Sequence, residues 1–230
     1  YIMRGPATWA CLALLLAACS TTGMAGQDPG PAPDEHAPGL ADLASFEQMI
    51  RTAVPAAGKP WNSALAFERK SVYLTFDDGP KPHATPRVLD ILDREGVRGT
   101  FFLIGHKAEK HPDIVKDMVL RGHTIGNHTY SHIMPWGGNA KRYVSDALHG
   151  RKVLEDIAGV PVPLMRPPGG NLRLLEDIEA AGMQPALWTT LSGDCKSGQP
   201  PAYLLSLIKM QEGLRPVFHY PMIVLMHDTS

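Results

Sequence analysis

Two short segments carry residue types that together do hydrolytic chemistry. His128-Thr129-Tyr130-Ser131-His132 sets two imidazoles four residues apart, and Thr75-Phe76-Asp77-Asp78-Gly79 contains paired carboxylates. Histidines at that spacing lie on one side of a helical turn and can share one divalent ion. A carboxylate from elsewhere completes a face of three ligands. One member of the Asp77-Asp78 pair then binds the ion while the other stays free as a base, the arrangement of metal-assisted hydrolysis. Taken singly, each segment has an ordinary reading. In a chain with 10 histidines the first is a pair of solvated side chains, and Asp-Asp-Gly-Pro is a common turn sequence. Their joint occurrence with three later segments raises both. These are Arg166-Pro167-Pro168-Gly169-Gly170, Leu191-Ser192-Gly193-Asp194-Cys195 and Leu225-Met226-His227.

Alternating strand and helix patterns must position these residues. Strands are expected at Ser71–Phe76, Thr100–Ile104, His123–Asn127, Leu164–Arg166, Gln184–Leu191 and Met222–Met226. Helices are expected at Pro86–Glu95, Ile114–Leu120, Lys141–Ala158, Leu172–Ala181 and Tyr203–Met210. Apolar residues at helical spacing, such as Val88, Leu89, Ile91 and Leu92, and stops such as Gly96 support them. Repeated strand–helix units imply an α/β fold with a parallel sheet and right-handed crossovers, open or closed into a barrel. Asp77, Asp78, His128, Arg166, Asp194 and His227 all fall at or just after predicted strand ends, where barrel enzymes place their active sites.

Composition sets the frame. The chain has 230 residues, 44% of them hydrophobic, enough for one sizeable core. A formal net charge of -1 and 7% aromatic residues give no case for a nucleic-acid partner. Met3-Arg4, an apolar run from Ala7 to Ala18, and Leu16-Ala17-Ala18-Cys19 read as a bacterial lipoprotein signal. Residues 1–18 would then be the signal peptide, and Cys19 would carry the lipid. An ordinary secretory signal cut elsewhere is the alternative. Residues 19–39, rich in Pro, Gly and Ala, read as a flexible linker, and residues 40–70 as an N-terminal extension with one short helix. The expected location is the periplasmic side of the cell envelope or the cell surface, with the membrane reached by the lipid anchor only. Once Cys11 leaves with the signal and Cys19 is acylated, Cys195 has no partner for an intramolecular disulfide.

Residues 71–230 resemble the polysaccharide deacetylases of the NodB-homology group, carbohydrate esterase family 4, with the motifs above in the family order. The resemblance implies a distorted, incomplete (β/α) barrel of the TIM type. It implies removal of acetate from an N-acetylated polysaccharide with one divalent metal, zinc, for which cobalt or a similar ion substitutes. By position in the motifs, Asp77 is the implied general base, and Asp78, His128 and His132 the metal ligands. Arg166 would orient Asp77, and the backbone N–H of Gly169 would serve the oxyanion. Pro168 and Leu225 would line the substrate pocket. His227 would be the general acid with Asp194 as its partner. Thr129 is expected to bond locally and shape its turn. Trp136 is a candidate sugar platform, whereas Trp188 and Trp61 are more simply packing residues.

Two departures stand out. The family's fourth motif carries Asp-x-x-Asp-Trp, where this chain has Leu191 in place of the first carboxylate and Cys195 in place of the tryptophan. The chain also ends just after His227, where the family continues with a further helix and strand, so a barrel short at its C-terminal end is expected. Peptidoglycan is the favoured polymer, with chitin or poly-N-acetylglucosamine as the runner-up, and a monomer is expected. A non-catalytic polysaccharide-binding lipoprotein on the same scaffold is the alternative from another class. A metalloprotease fits less well, because no glutamate follows His128.

Overall fold

The computed structural model describes residues 72–135, 139–171, 173–194, 199–213 and 222–228. The signal, Cys19, the linker, the N-terminal extension with Trp61, Trp136 and Cys195 lie outside the described residues. In chain order the described elements are β1 (Val72–Asp77), α1 (Thr85–Arg94), β2 (Thr100–Leu103), α2 (Gly105–Lys110), α3 (Pro112–Leu120), β3 (Thr124–Asn127), α4 (Ala140–Ala158), β4 (Leu164–Met165), α5 (Leu175–Ala180), β5 (Gln184–Pro185), β6 (Thr190–Leu191), α6 (Pro201–Gly213) and β7 (Met222–His227). The seven described strands form one sheet in the order β5-β4-β3-β2-β1-β7-β6, with every pairing parallel. The sheet curls into a distorted, incomplete (β/α) barrel, with β5 and β6 the outermost of the described strands.

Strand alternation divides the labour. Side chains along a strand point to opposite faces in turn. On β1 and β7, Leu74, Phe76, Val224 and Met226 pack with Val88, Leu89 and Leu92 of α1 in the main core. The intervening residues Thr75 and Asp77, in register with Leu225 and His227, face the other way. One periodicity therefore buries the apolar residues under helices and gathers the polar ones on the barrel side.

The structure corrects two expectations. The run Gln184–Leu191 is two short strands rather than one. Ala186 N–H donates to Met165 O and so still follows β4, whereas Thr189 N–H donates to Ile223 O and so already follows β7. The chain between them crosses the gap in the barrel. Second, His128 and His132 do not share a helical turn. They lie in a loop after β3, with Thr129 at φ 65° and His132 at φ 57°. Left-handed backbone cannot continue a right-handed helix, so the ring convergence comes from a folded-back loop. The short helix α2 had no counterpart in the sequence reading.

Candidate active site

The ends of β1, β3, β4, β6 and β7 bring the candidate residues together. Asp77 is 3% exposed at the end of β1. Arg166 follows β4 and is wholly buried, with its guanidinium stretched across the barrel interior. Its Nη1 donates to Asp77 Oδ1 at 2.7 Å and to Thr75 Oγ1 at 2.8 Å. Nε donates to Ala186 O at 2.8 Å and Nη2 to Leu187 O at 3.1 Å. Phe102 lies against the guanidinium, 4.0 Å from its carbon to the ring centroid. Burial draws the Arg166 pKa down, opposed by the charge and hydrogen bond of Asp77. Arg166 thus does two things: it pins one oxygen of Asp77, and it satisfies the carbonyls of the stretch that crosses the gap.

Asp78, His128 and His132 converge beside this pair. Each offers one ligand atom, and these atoms lie within 4.8 Å of one another. Asp78 Oδ1 is 3.4 Å from His128 Nε2 and 3.1 Å from His132 Nε2. His128 Nδ1 sits 2.7 Å from Arg166 O, a contact in which the ring nitrogen carries the proton. That bond leaves the Nε2 lone pair aimed at Asp78, the tautomer and orientation of a metal-ligating histidine with an outer-shell carbonyl. Burial works to raise the Asp78 pKa, but the hydrogen bonds and charges of His128 and His132, when both rings are protonated, hold it well below the usual carboxylate range. The donor set, two imidazoles and a carboxylate on one side of an open cleft, fits a divalent ion such as zinc.

His227 ends β7 directly opposite Asp77 in the register. Asp194 grips it twice: Oδ2 accepts from the His227 backbone N–H at 2.6 Å, and Oδ1 is 2.9 Å from Nδ1. Ser192 Oγ donates to the same Oδ1 at 2.7 Å. Burial alone would lower the His227 pKa. The Asp194 bond and the charges of Asp194, Asp77 and Asp78 reverse that and push it up to about 9. Leu225 is 7% exposed on the same face of β7. Pro168 is buried in the tight turn Pro168–Gly170, while Gly169, at φ 68°, lies exposed there beside Met134. Trp188 packs edge-on against Gly170, half-buried, as a wall of that turn.

Several residues here escaped the sequence reading. Asp228 is wholly buried under the β1 loop, where any side chain at Gly79 would meet its carboxylate. Thr85 Oγ1 donates to Asp228 Oδ2 and accepts the Lys81 N–H at 2.8 Å. Burial raises the Asp228 pKa to about 6. Lys107 Nζ donates to Asp78 O at 2.7 Å. Asp228 follows His227 directly, and only that adjacency could have flagged it. By contrast, Thr129 does not shape its turn as expected. Its Oγ1 is buried without a hydrogen-bond partner among the described residues, and Asp146 holds the turn instead.

Residues 65–186 match the family model for polysaccharide deacetylase. A peptidoglycan-N-acetylglucosamine deacetylase of Bacillus cereus is 39% identical over 122 residues, covering 52% of this chain and 57% of the relative. The peptidoglycan-N-acetylmuramic acid deacetylase PdaA of Bacillus subtilis is 32% identical over 190 residues, covering 77% of this chain and 71% of the relative. Among solved structures, a carbohydrate esterase family 4 pseudoenzyme of Bacillus anthracis aligns with a TM-score of 0.59 at 27% identity, covering 69% of this chain and 55% of that one. The chain spans between 36% and 57% of the length of the first peptidoglycan-N-acetylglucosamine deacetylases it matches. With its barrel, its motif order and these matches, the chain belongs to the polysaccharide deacetylase family.

Proposed function

We propose that the chain is a metal-dependent polysaccharide N-deacetylase. It would hydrolyse the N-acetyl group of N-acetylglucosamine-type residues and release acetate, with peptidoglycan as the favoured polymer. One observation carries this. Asp77 and His227 stand opposite each other on neighbouring strands, each held by a buried partner, beside the convergent Asp78, His128 and His132. The peptidoglycan deacetylases among the relatives support the choice of polymer.

Asp78, His128 and His132 would hold a zinc ion, which would supply Lewis acidity for the acetamide carbonyl and for water. The chain's own groups do the rest. Arg166 occupies Oδ1 of Asp77, so Oδ2 is the oxygen that takes the proton of the attacking water. The Gly169 N–H donates to the developing oxyanion. Asp194 holds Nδ1 of His227, which leaves Nε2 to protonate the departing sugar nitrogen. Leu225 and Pro168 bound the acetyl group. An acyl chain on Cys19 would tether the exported domain to the envelope, close to this substrate.

The test is acetate release from N-acetylglucosamine oligomers and from purified peptidoglycan by the full chain, metal-stripped and then given zinc or cobalt. Release that returns with the metal is the expected result. A folded, metal-loaded chain that releases no acetate from any polymer, yet still binds one, would favour a non-catalytic binding role. Leu191 in place of the family carboxylate, and the likeness to a pseudoenzyme, favour that second reading.

The His227 charge sets the pH dependence. A histidine raised above its usual value is protonated at neutral pH and loses its proton as pH rises through about 9. Turnover should therefore fall on the alkaline side near that value. Asp194→Asn removes the charge that holds the proton, so the alkaline limb of the kcat profile should move towards neutral pH. The same sign applies to stability: the Asp194–His227 pair stabilises fully below the ordinary histidine value and is lost as pH rises through about 9. An unmoved alkaline limb in Asp194→Asn would remove His227 from the acid role.

A further inference from the structure

We infer that Asp146 is a positioning residue for the metal site, acting on His132 through the backbone between the two histidines; this rests on the metal-centre reading above. Asp146 lies on α4, outside every motif that carries the resemblance. Its Oδ1 accepts from the N–H of Tyr130 at 2.9 Å and of Ser131 at 3.0 Å, and Oδ2 accepts from Ser131 Oγ at 2.7 Å. The Asp146 backbone carbonyl accepts from Tyr130 N–H as well, at 3.2 Å.

The loop needs such a clamp. Thr129 and His132 both hold left-handed backbone, a region that side chains with a Cβ, above all β-branched ones, adopt at a cost. Thr129 contributes no side-chain bond of its own among the described residues. From the other side, Gly105 N–H donates to Thr129 O and His106 N–H to Tyr130 O, each at 3.0 Å. Helix α4 comes close because residue 150, one turn after Asp146, is glycine. A Cβ there would stand 2.7 Å from Thr129 C and from Tyr130 N. Asp146 and Gly150 share a helix face, so the small residue sets the approach and the carboxylate makes the bonds.

The two ligands differ in what else holds them. His128 is buried and fixed by the Arg166 carbonyl at Nδ1. His132 is 37% exposed, and Ser131, its neighbour in the chain, receives two of the Asp146 bonds. Loosening the loop therefore moves His132 and spares His128. Loss of an outer-shell partner of a ligand lowers metal affinity by about 10–100-fold.

The experiment is a competition titration of zinc and cobalt against a chelating dye. It uses the metal-stripped full chain as wild type, Asp146→Ala, Asp146→Asn and Ser131→Ala, with the visible spectrum of the cobalt form recorded for each. Asp146→Ala is expected to bind about 10–100-fold more weakly with an altered cobalt spectrum. Asparagine keeps an acceptor for both amides and a donor for Ser131 Oγ, so it should restore the affinity to within about threefold. Ser131→Ala loses only the hydroxyl bond and should weaken binding by several-fold, which keeps the test open if Asp146→Ala does not fold. Wild-type affinity and spectrum in folded Asp146→Ala, or in Ser131→Ala where Asp146→Ala is unfolded, would overturn the inference. A wild-type chain that binds neither metal would instead overturn the metal-centre reading.

Discussion

Asp77→Asn is expected to lower kcat for acetate release by about 10²–10⁴-fold, the usual worth of a positioned general base. Asparagine has nearly the same shape and still presents an oxygen to Arg166 Nη1, so the packing should hold, although the buried Arg166 charge loses its counterion and some stability goes with it. What it cannot do is take a proton from water at neutral pH. The proposed metal ligands are Asp78, His128 and His132, so the affinity for added zinc should change little in the same variant. Steady-state acetate assays together with a metal titration separate the two. A fall in rate that merely tracks a fall in metal content would mean that Asp77 serves the site as a ligand or a scaffold rather than as a base.

Arg166→Met should cost stability as well as activity, and the stability loss should be among the largest for any single change in the domain. Arg166 is wholly buried and makes four hydrogen bonds, two of them to the backbone carbonyls of Ala186 and Leu187. Removing one member of a buried ion pair leaves the other charge uncompensated, at about 3–5 kcal/mol. For a domain of this size that is a fall in melting temperature of about 10 °C or more. Lysine should not rescue it, because a single ammonium cannot span the fork that joins Asp77 to the gap-crossing stretch at Ala186 and Leu187. Combining Arg166→Met with Asp77→Asn should cost less than the sum of the two, since the stranded carboxylate is gone. Strict additivity in thermal melts of the two single variants and the double variant would show that the pair is not coupled.

The two variants also mark how far the amino-acid sequence could be read. Asp77, His128, Arg166 and His227 were picked out by short motifs that resemble one family and fall at predicted strand ends, and a parallel barrel collects its strand ends on one rim. The apolar faces of α1 and β1 were legible from their period. Lost to the sequence was everything decided by a bond between a side chain and a distant backbone. Gln184–Leu191 reads as one strand because Leu187 to Leu191 suit a strand although Pro185 and Ala186 do not, and nothing local says that Arg166 will claim Ala186 and Leu187. The histidine spacing suits a helix, yet the Asp146 carboxylate and the glycine at 150 fold the loop back. Asp228 and Lys107 were invisible because a single acid or lysine carries no period.

The pairing of β1 has a consequence for how the domain comes into being. β1 lies between β2 and β7, and the bond from Thr75 Oγ1 to Val224 O joins residues 149 apart in the chain. A chain leaving the ribosome presents β1 first and its β7 partner near the end of the described fold. Until then one edge of the strand that carries Asp77 lacks its β7 neighbour, and Asp77 and His227 exist on separate lengths of unfinished polymer. Such long-range closure is slow, and it leaves an apolar edge open while it waits. The proposed centre is therefore a late product of folding, and a nascent chain cannot complete it before β7 docks.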